Sequence, residues 1–159
     1  MNDTLNKSLI SGHEGLRLRK YQDSRGIWTI GRGFNLEVPG ASAAVCAAAG
    51  VDYTAVMGGA AITLDQVNQI FESQYEAVAE EARHAVPGID QDPDNAGAVV
   101  CDMIFEIGLS GFLAFHQVLA GLAARNWAQA IAGMKASRWA TQVPSREEND
   151  VALLEALSD

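Results

Sequence analysis

Three residues near the start of this 159-residue chain have side chains that together can hydrolyse an acetal: Glu14, Asp23 and Thr29. Breaking a glycosidic bond takes one carboxylic acid to protonate the leaving oxygen. Where configuration inverts, a group on the opposite face of the sugar must also place a water, with the two carboxyls about 6.5–9.5 Å apart. Two carboxylates in unlike surroundings hold different protonation states at one pH, which separates the acid from the base. Thr29 suits a water-holding role, because a hydroxyl both donates and accepts and is a weak nucleophile without an adjacent base. Spacing alone leaves a second reading open, in which Glu14 and Asp23 are unrelated surface carboxylates and Thr29 is an ordinary strand threonine.

Neighbouring elements must bring the trio together. Residues 4–13 read as a helix striped by Leu5, Leu9 and Ile10 and capped by Asp3 or Thr4. Gly12 and Gly15 bracket Glu14 and stop that helix, so Glu14 falls at a helix C-terminus, where the dipole opposes a negative charge and favours the protonated form. Residues 16–21 and 27–31 read as strands joined by Gln22-Asp23-Ser24-Arg25-Gly26, a hairpin with Asp23 at its turn. Gly31-Arg32-Gly33 ends it with two permissive positions, too short and too close to a hairpin to be a dinucleotide loop. A residue before a hairpin and one at its turn can face each other across a cleft.

The remainder reads mostly as helix. Residues 41–49 form a small alanine-rich helix, and 60–62 a short third strand. Thr63 with Gln66 is a capping box before a long helix to about residue 83, whose Leu64, Val67, Ile70, Phe71, Tyr75, Val78 and Ala82 keep three-and-four spacing. Its row of Glu72, Glu76 and Glu80 reads as a solvated face rather than a metal site. Residues 96–107 read as a buried helix broken by Gly108 and Gly111, with shorter helices at 115–123 and 127–135 and a turn near Arg138. Ser145 with Glu148 reads as a second capping box, Pro144 just outside it, before a last helix to about residue 157. The expected architecture is α+β and mainly helical: one domain over 1–159, with an α+β lobe at 14–62, a connecting helix at 63–84, and a helical lobe from 1–13 and 85–159.

Composition narrows the function. A 48% hydrophobic and 19% charged chain can bury an ordinary core. No run of about 18 apolar residues is evident, so no stable membrane insertion is expected, and residues 1–11 lack the apolar centre of a signal peptide. A formal charge of −9 argues against nucleic acid as a partner. Residues 14–32 nevertheless hold Arg17, Arg19, Lys20, Arg25 and Arg32 against Glu14 and Asp23, a basic patch that suits an anionic ligand or, alternatively, a solvated hairpin face. Cys46 and Cys101 read as buried free thiols, which fits folding in a reducing cytoplasm. His84 and His116 have no partners at metal spacing. No exposed apolar heptad seam is present, so a monomer is expected. No cofactor is needed, since protonation and a placed water suffice.

The string from Glu14-Gly15 through the basic-apolar strand to Asp23 and Gly26, then Thr29-Ile30-Gly31-Arg32-Gly33, closely resembles the active-site hairpin of the T-even phage-type lysozymes, glycoside hydrolase family 24. Met103-Ile104-Phe105-Glu106-Ile107-Gly108 resembles that family's central helix and its glycine stop. Lys135-Ala136-Ser137-Arg138-Trp139 and Gln142-x-Pro144-x-Arg146 resemble its late segments, in the same order and at similar spacing.

The resemblance implies two lobes joined by a long helix with a cleft between them. It implies a muramidase that hydrolyses the β-1,4 linkage between N-acetylmuramic acid and N-acetylglucosamine of bacterial peptidoglycan with inversion, Glu14 as general acid and Asp23 and Thr29 placing the water. Arg146 looks like the residue that approaches the acid from the helical lobe, where its charge would compete with the helix-end effect on Glu14, and Glu106 stands where the family usually has Gln beside the substrate. Phe105 and Trp139 would line the sugar cleft, with plain core packing as the alternative for each; Trp127 and Phe115 read as core and Asp102 as structural. The implied setting is a phage endolysin held in the host cytoplasm and released to the wall, with a holin for export. A catalytically weak wall-binding module and a bactericidal effector built on the same domain are the alternatives. The chain departs from its relatives at Phe34, where many carry His, at His13, where an acidic residue is common, and in its acidic net charge.

Overall fold

The computed structural model describes residues 1–158. In chain order it forms helix α1 (Asp3–His13), strands β1 (Arg17–Gln22), β2 (Trp28–Gly31) and β3 (Phe34–Asn35), then helices α2 (Ala41–Ala48), α3 (Tyr53–Met57) and α4 (Leu64–Ala85). A 3-10 turn at Ile89–Gln91 leads to α5 (Asp94–Leu113), α6 (His116–Ala123), α7 (Trp127–Lys135), α8 (Arg138–Gln142) and α9 (Pro144–Glu155). The fold is α+β and mainly helical, and its antiparallel sheet has the order β1-β2-β3. Two compact units divide the chain: Glu14–Ala77, and Met1–His13 together with the residues from Val78 on. Helix α4 contributes to both.

In the Glu14–Ala77 unit, backbone reversals set the sheet. Gly26 (φ 80°) closes the β1–β2 turn, its N–H donating to the Asp23 carbonyl at 2.9 Å. Gly31 (φ 66°) and Gly33 (φ 78°) then turn the chain straight back, and β3 pairs Phe34 with Ile30. The third strand is therefore Phe34–Asn35 and not residues 60–62, which are irregular. Ile62 gives only one N–H to the Leu18 carbonyl, at 2.8 Å. Ile30, Phe34 and Leu36 pack into a core with Cys46, Val51, Val56, Val67 and Ile70. Phe34, the departure from the family's histidine, is thus a core side chain. The sequence reading did not anticipate α3, which Asp52 caps by accepting the Ala55 N–H at 3.0 Å. The expected Thr63–Gln66 box does open α4: each side chain accepts the other's backbone N–H, at 2.9 and 3.1 Å.

In the other unit α5 is the central element. Every residue from Ala96 to Ile104 is buried, and all but Asp102 are apolar or small, as suits an enclosed helix. Over length and composition α5 qualifies as a membrane span, with an 18-residue window of mean hydropathy 1.6 that the sequence reading overlooked; 56% of that window is buried inside the protein. Gly108 interrupts the helix as expected, with φ 72° and ψ 162°, but the helix resumes and continues to Leu113. Helices α6 and α7 approach so closely at Gly121 that a Cβ there would lie 2.4 Å from the Ala130 nitrogen. Helix α9 starts at Pro144, one residue before the expected Ser145–Glu148 box, and no side chain caps it. Proline at the first helical position brings a preset φ and lacks an N–H that would otherwise be orphaned, so the helix starts there and Ser145 falls inside the first turn.

Helix α9 meets α5 through charge as well as apolar contact. The Arg146 Nε and Nη2 donate to Asp102 Oδ2 and Oδ1 at 2.7 and 2.9 Å, and Nη1 donates to Glu106 Oε2 at 2.5 Å. Asp150, one turn beyond Arg146, is fully buried. Burial first, and then the neighbouring Asp102 carboxylate, push its pKa up to about 9, so it stays protonated at neutral pH.

Two stability predictions follow from this packing. Gly121→Ala must part α6 from α7 and should lose about 1–3 kcal/mol by denaturant titration, whereas Gly12→Ala, where an added Cβ meets nothing within 4 Å, should lose less. Because the folded protein binds a proton on Asp150 that the unfolded chain releases near its ordinary pKa, stability falls as pH rises between those values. Asp150→Asn should therefore raise Tm at pH 7 to 8, by roughly 2–4 °C for each kcal/mol gained, and the gain should vanish below about pH 4, the unfolded aspartate value.

Candidate active site

The β1–β2 turn holds Asp23 and Thr29 through a single residue between them. Asp23 Oδ1 accepts the backbone N–H groups of Arg25 and Ile27 at 2.8 and 3.0 Å. The Ile27 carbonyl in turn accepts the Thr29 hydroxyl and the Asp23 N–H, both at 3.0 Å. Ile27 thus ties its donor to one candidate and its acceptor to the other. The donors, the Ile27 N–H foremost, hold the Asp23 carboxyl below the usual aspartate range. An ionised Asp23 can accept a proton or orient a water and is ill suited to donate one. Thr29 is 4% exposed; with its proton committed to Ile27, its oxygen keeps lone pairs for accepting.

Glu14 is the residue immediately after α1, placed there because the helix ends at His13 and Gly15 follows. Tyr21, paired with Thr29 across the sheet, reports on both carboxylates. Its phenol pKa is raised by burial first, then by Glu14 and, more weakly, by Asp23, while Arg17 opposes them. One ring therefore feels the charge of Glu14 and of Asp23. No sequence motif singles out Tyr21; its place opposite Thr29 follows from the β1–β2 register.

All the cations of this unit lie between residues 17 and 32, and most are engaged locally. Arg19 donates to the Gly59 carbonyl at 2.6 Å and Lys20 to that of Met57 at 2.5 Å, with the Lys20 ammonium 4.1 Å from the Trp28 ring centre. Arg17 lies over Tyr21 and Arg32 over Phe71. Arg25, 76% exposed, faces Asp23 Oδ2 at 3.5 Å. The basic patch is thus partly structural, pinning the loop after α3 to β1, although none but Arg25 has a carboxylate among these contacts.

The other candidates belong to the helical unit. Arg146 is 6% exposed and its guanidinium is bonded to Asp102 and Glu106. Glu106 keeps 31% of its side chain exposed, and Phe105 beside it is partly buried. Trp139 is 3% exposed and meets Phe115 edge-to-face at 6.4 Å. Both line a groove of about 650 Å³ whose polar lining includes His116, Ser137, Arg138 and Gln142. Phe115, expected in the core, is therefore a groove wall. The expected free thiols are seen: Cys46 and Cys101 are both buried and unpaired to one another, and burial pushes the Cys101 thiol up to about 12. Among the described residues no three His, Cys, Asp or Glu side chains converge to hold a metal ion.

Residues 11–152 match the phage lysozyme family, a span that includes every candidate named above. The endolysin of Salmonella phage P22 is 32% identical over 117 residues, covering 74% of this chain and 69% of the relative. A match that runs from α1 through the hairpin to α9 embraces both units, and the chain belongs to the phage lysozyme family.

Proposed function

We propose that this chain is a muramidase that cuts the β-1,4 bond between N-acetylmuramic acid and N-acetylglucosamine, with Glu14 as general acid and Asp23 and Thr29 holding the attacking water. Family membership makes it a peptidoglycan-hydrolysing enzyme; the linkage, the inversion and the residue roles are the finer reading. One observation supports that reading: Ile27 donates its N–H to the Asp23 carboxylate and accepts the Thr29 hydroxyl at its carbonyl, so one residue restrains both side chains. A water bonded to both would be polarised by the carboxylate and aligned by the hydroxyl. Glu14 follows the carbonyl end of α1, and as the remaining carboxyl of the trio it is assigned proton donation to the leaving oxygen. Attack and protonation from opposite sides of the sugar invert the anomeric carbon.

In the helical unit, Phe105 and the groove at Trp139 are the surfaces we assign to substrate. Apolar ring faces there would pack on sugars. Glu106 would meet the substrate with its exposed portion while Arg146 holds it in place. The protein would act as a monomer on glycan strands, made in the host cytoplasm as an endolysin and released to the wall through a holin-type partner.

Release of new reducing ends from purified peptidoglycan tests the assignment. Glu14→Gln should lower the rate at least about a hundredfold, the lower range for loss of a general acid, with Tm nearly unchanged; an undiminished rate removes Glu14 from the mechanism. Wild-type protein that pulls down with the wall yet releases no fragments would make it a binding module. Since Asp23 stays ionised below the ordinary aspartate range, it loses its base function only as pH falls through its lowered pKa. The acid limb of the rate profile should accordingly lie below about pH 3.9, the model aspartate value, whenever Asp23 governs it, and should move upward in Gly26→Ala, which disturbs the turn that supplies its donors.

A further inference from the structure

His13 is the last residue of α1 and precedes Glu14 in the chain. Its side chain is 11% exposed and bonded at both ring nitrogens. Nδ1 lies 3.1 Å from both oxygens of Asp102, on α5. Nε2 lies 3.0 Å from the Asn149 amide nitrogen, on α9. An ionised carboxylate offers only acceptors, so Nδ1 must carry the proton. An amide nitrogen offers only donors, so Nε2 must accept. The two neighbours together select one tautomer and one ring orientation.

Asp102 is itself fixed. It is completely buried and bound bidentately by Arg146, which also holds Glu106. The bonded partners of the imidazole are therefore Asp102 from α5 and Asn149 from α9, with Arg146 and Glu106 joined to it through Asp102. By contrast, no side chain packs at the positions flanking His13 and Glu14. Gly12 and Gly15 flank the pair, and a Cβ built on either meets nothing within 4 Å. No side chain at those positions can lock the backbone, so the anchor immediately preceding Glu14 is the imidazole.

We propose that His13 is a positioning residue for the proton donor: bridging α5 and α9 through Asp102 and Asn149, it fixes the end of α1 and thereby the backbone from which the Glu14 side chain reaches its substrate. This inference rests on the assignment of Glu14 as general acid. Its physical basis is that a proton donor works only within hydrogen-bond reach of the leaving oxygen, and that displacement by about 1 Å can cost a hundredfold in rate. Freeing His13 widens the range of positions open to Glu14, while the bonds of Arg146 to Asp102 and Glu106 remain to hold Glu106, so turnover falls and KM changes little.

The experiment measures kcat and KM on solubilised peptidoglycan together with nitrogen-15 NMR of the imidazole in the full chain. Wild type should show the Nδ1–H tautomer. His13→Ala should lose about ten- to a hundredfold in kcat with KM within about twofold. His13→Asn, whose amide nitrogen sits where Nδ1 does, should recover most of the loss, and His13→Leu, of similar bulk but without a donor, should not. Asn149→Ala is a surface change; it should weaken the tautomer preference and lower kcat a fewfold, and it decides the matter if His13→Ala does not fold. Wild-type kcat in the folded Ala or Leu variant, no recovery in the Asn variant, or an Nε2–H tautomer in the wild type would each overturn the proposal. The tautomer is read without activity, and Glu14→Gln is assayed alongside, so failure of the Glu14 assignment is distinguishable from failure of the His13 anchor.

Discussion

Asp102 is a carboxylate with no access to water, in the buried stretch of α5. An isolated charge in that position would cost several kcal/mol, so the surrounding chain must be arranged to satisfy it. Arg146 supplies two parallel N–H bonds from α9, and the His13 ring adds a third donor from α1. These requirements fix which face of α9 turns inward and where α1 ends. Glu106 is drawn in by the remaining guanidinium nitrogen, while Asp150 can stay beside Asp102 only as a neutral acid. The cluster specifies arrangement more than it adds stability, since a buried ion pair seldom outperforms well-packed apolar side chains.

The hairpin solves a similar problem with backbone in place of ions. Asp23 and Thr29 are positioned by peptide groups, which carry no net charge and need no counter-ion. Because the Asp23 carboxylate accepts from N–H groups of its own turn, its ionisation does not depend on the distant charges of an acidic protein. In a chain of net charge −9, the carboxylate is thus held by groups that add no charge of their own. The cations nearby are engaged with carbonyls and aromatic faces and brace the loop after α3.

Features set by local chemistry were legible in the sequence. The Thr63–Gln66 box opens α4 because its side chains bond their own turn, and Gly108 leaves helical geometry where a glycine stop was read. The hairpin that carries Asp23 and Thr29 was legible from its turn residues, whereas the Glu14, Asp23 and Thr29 trio stood out only through the family resemblance of the whole string. What failed depended on competition or on tertiary context. Ser145–Glu148 has the pattern of a box, but Pro144 one residue earlier already provides the start. Residues 60–62 have strand character, yet the two glycines at 31 and 33 make Phe34–Asn35 the nearer partner for β2. Nothing local marks Asp102 and His13 as partners 89 residues apart, and the position of Phe115 on a groove wall follows from packing that periodicity does not encode.

The two cysteines have a practical consequence. Each compact unit encloses one thiol at 0% exposure, Cys46 in the first and Cys101 in the second. A thiol reagent reaches each sulfur only when the surrounding unit opens, and peptide mapping tells the two adducts apart. The native chain therefore carries a built-in pair of labels by which the opening of one unit can be timed against the other, with no foreign residue introduced.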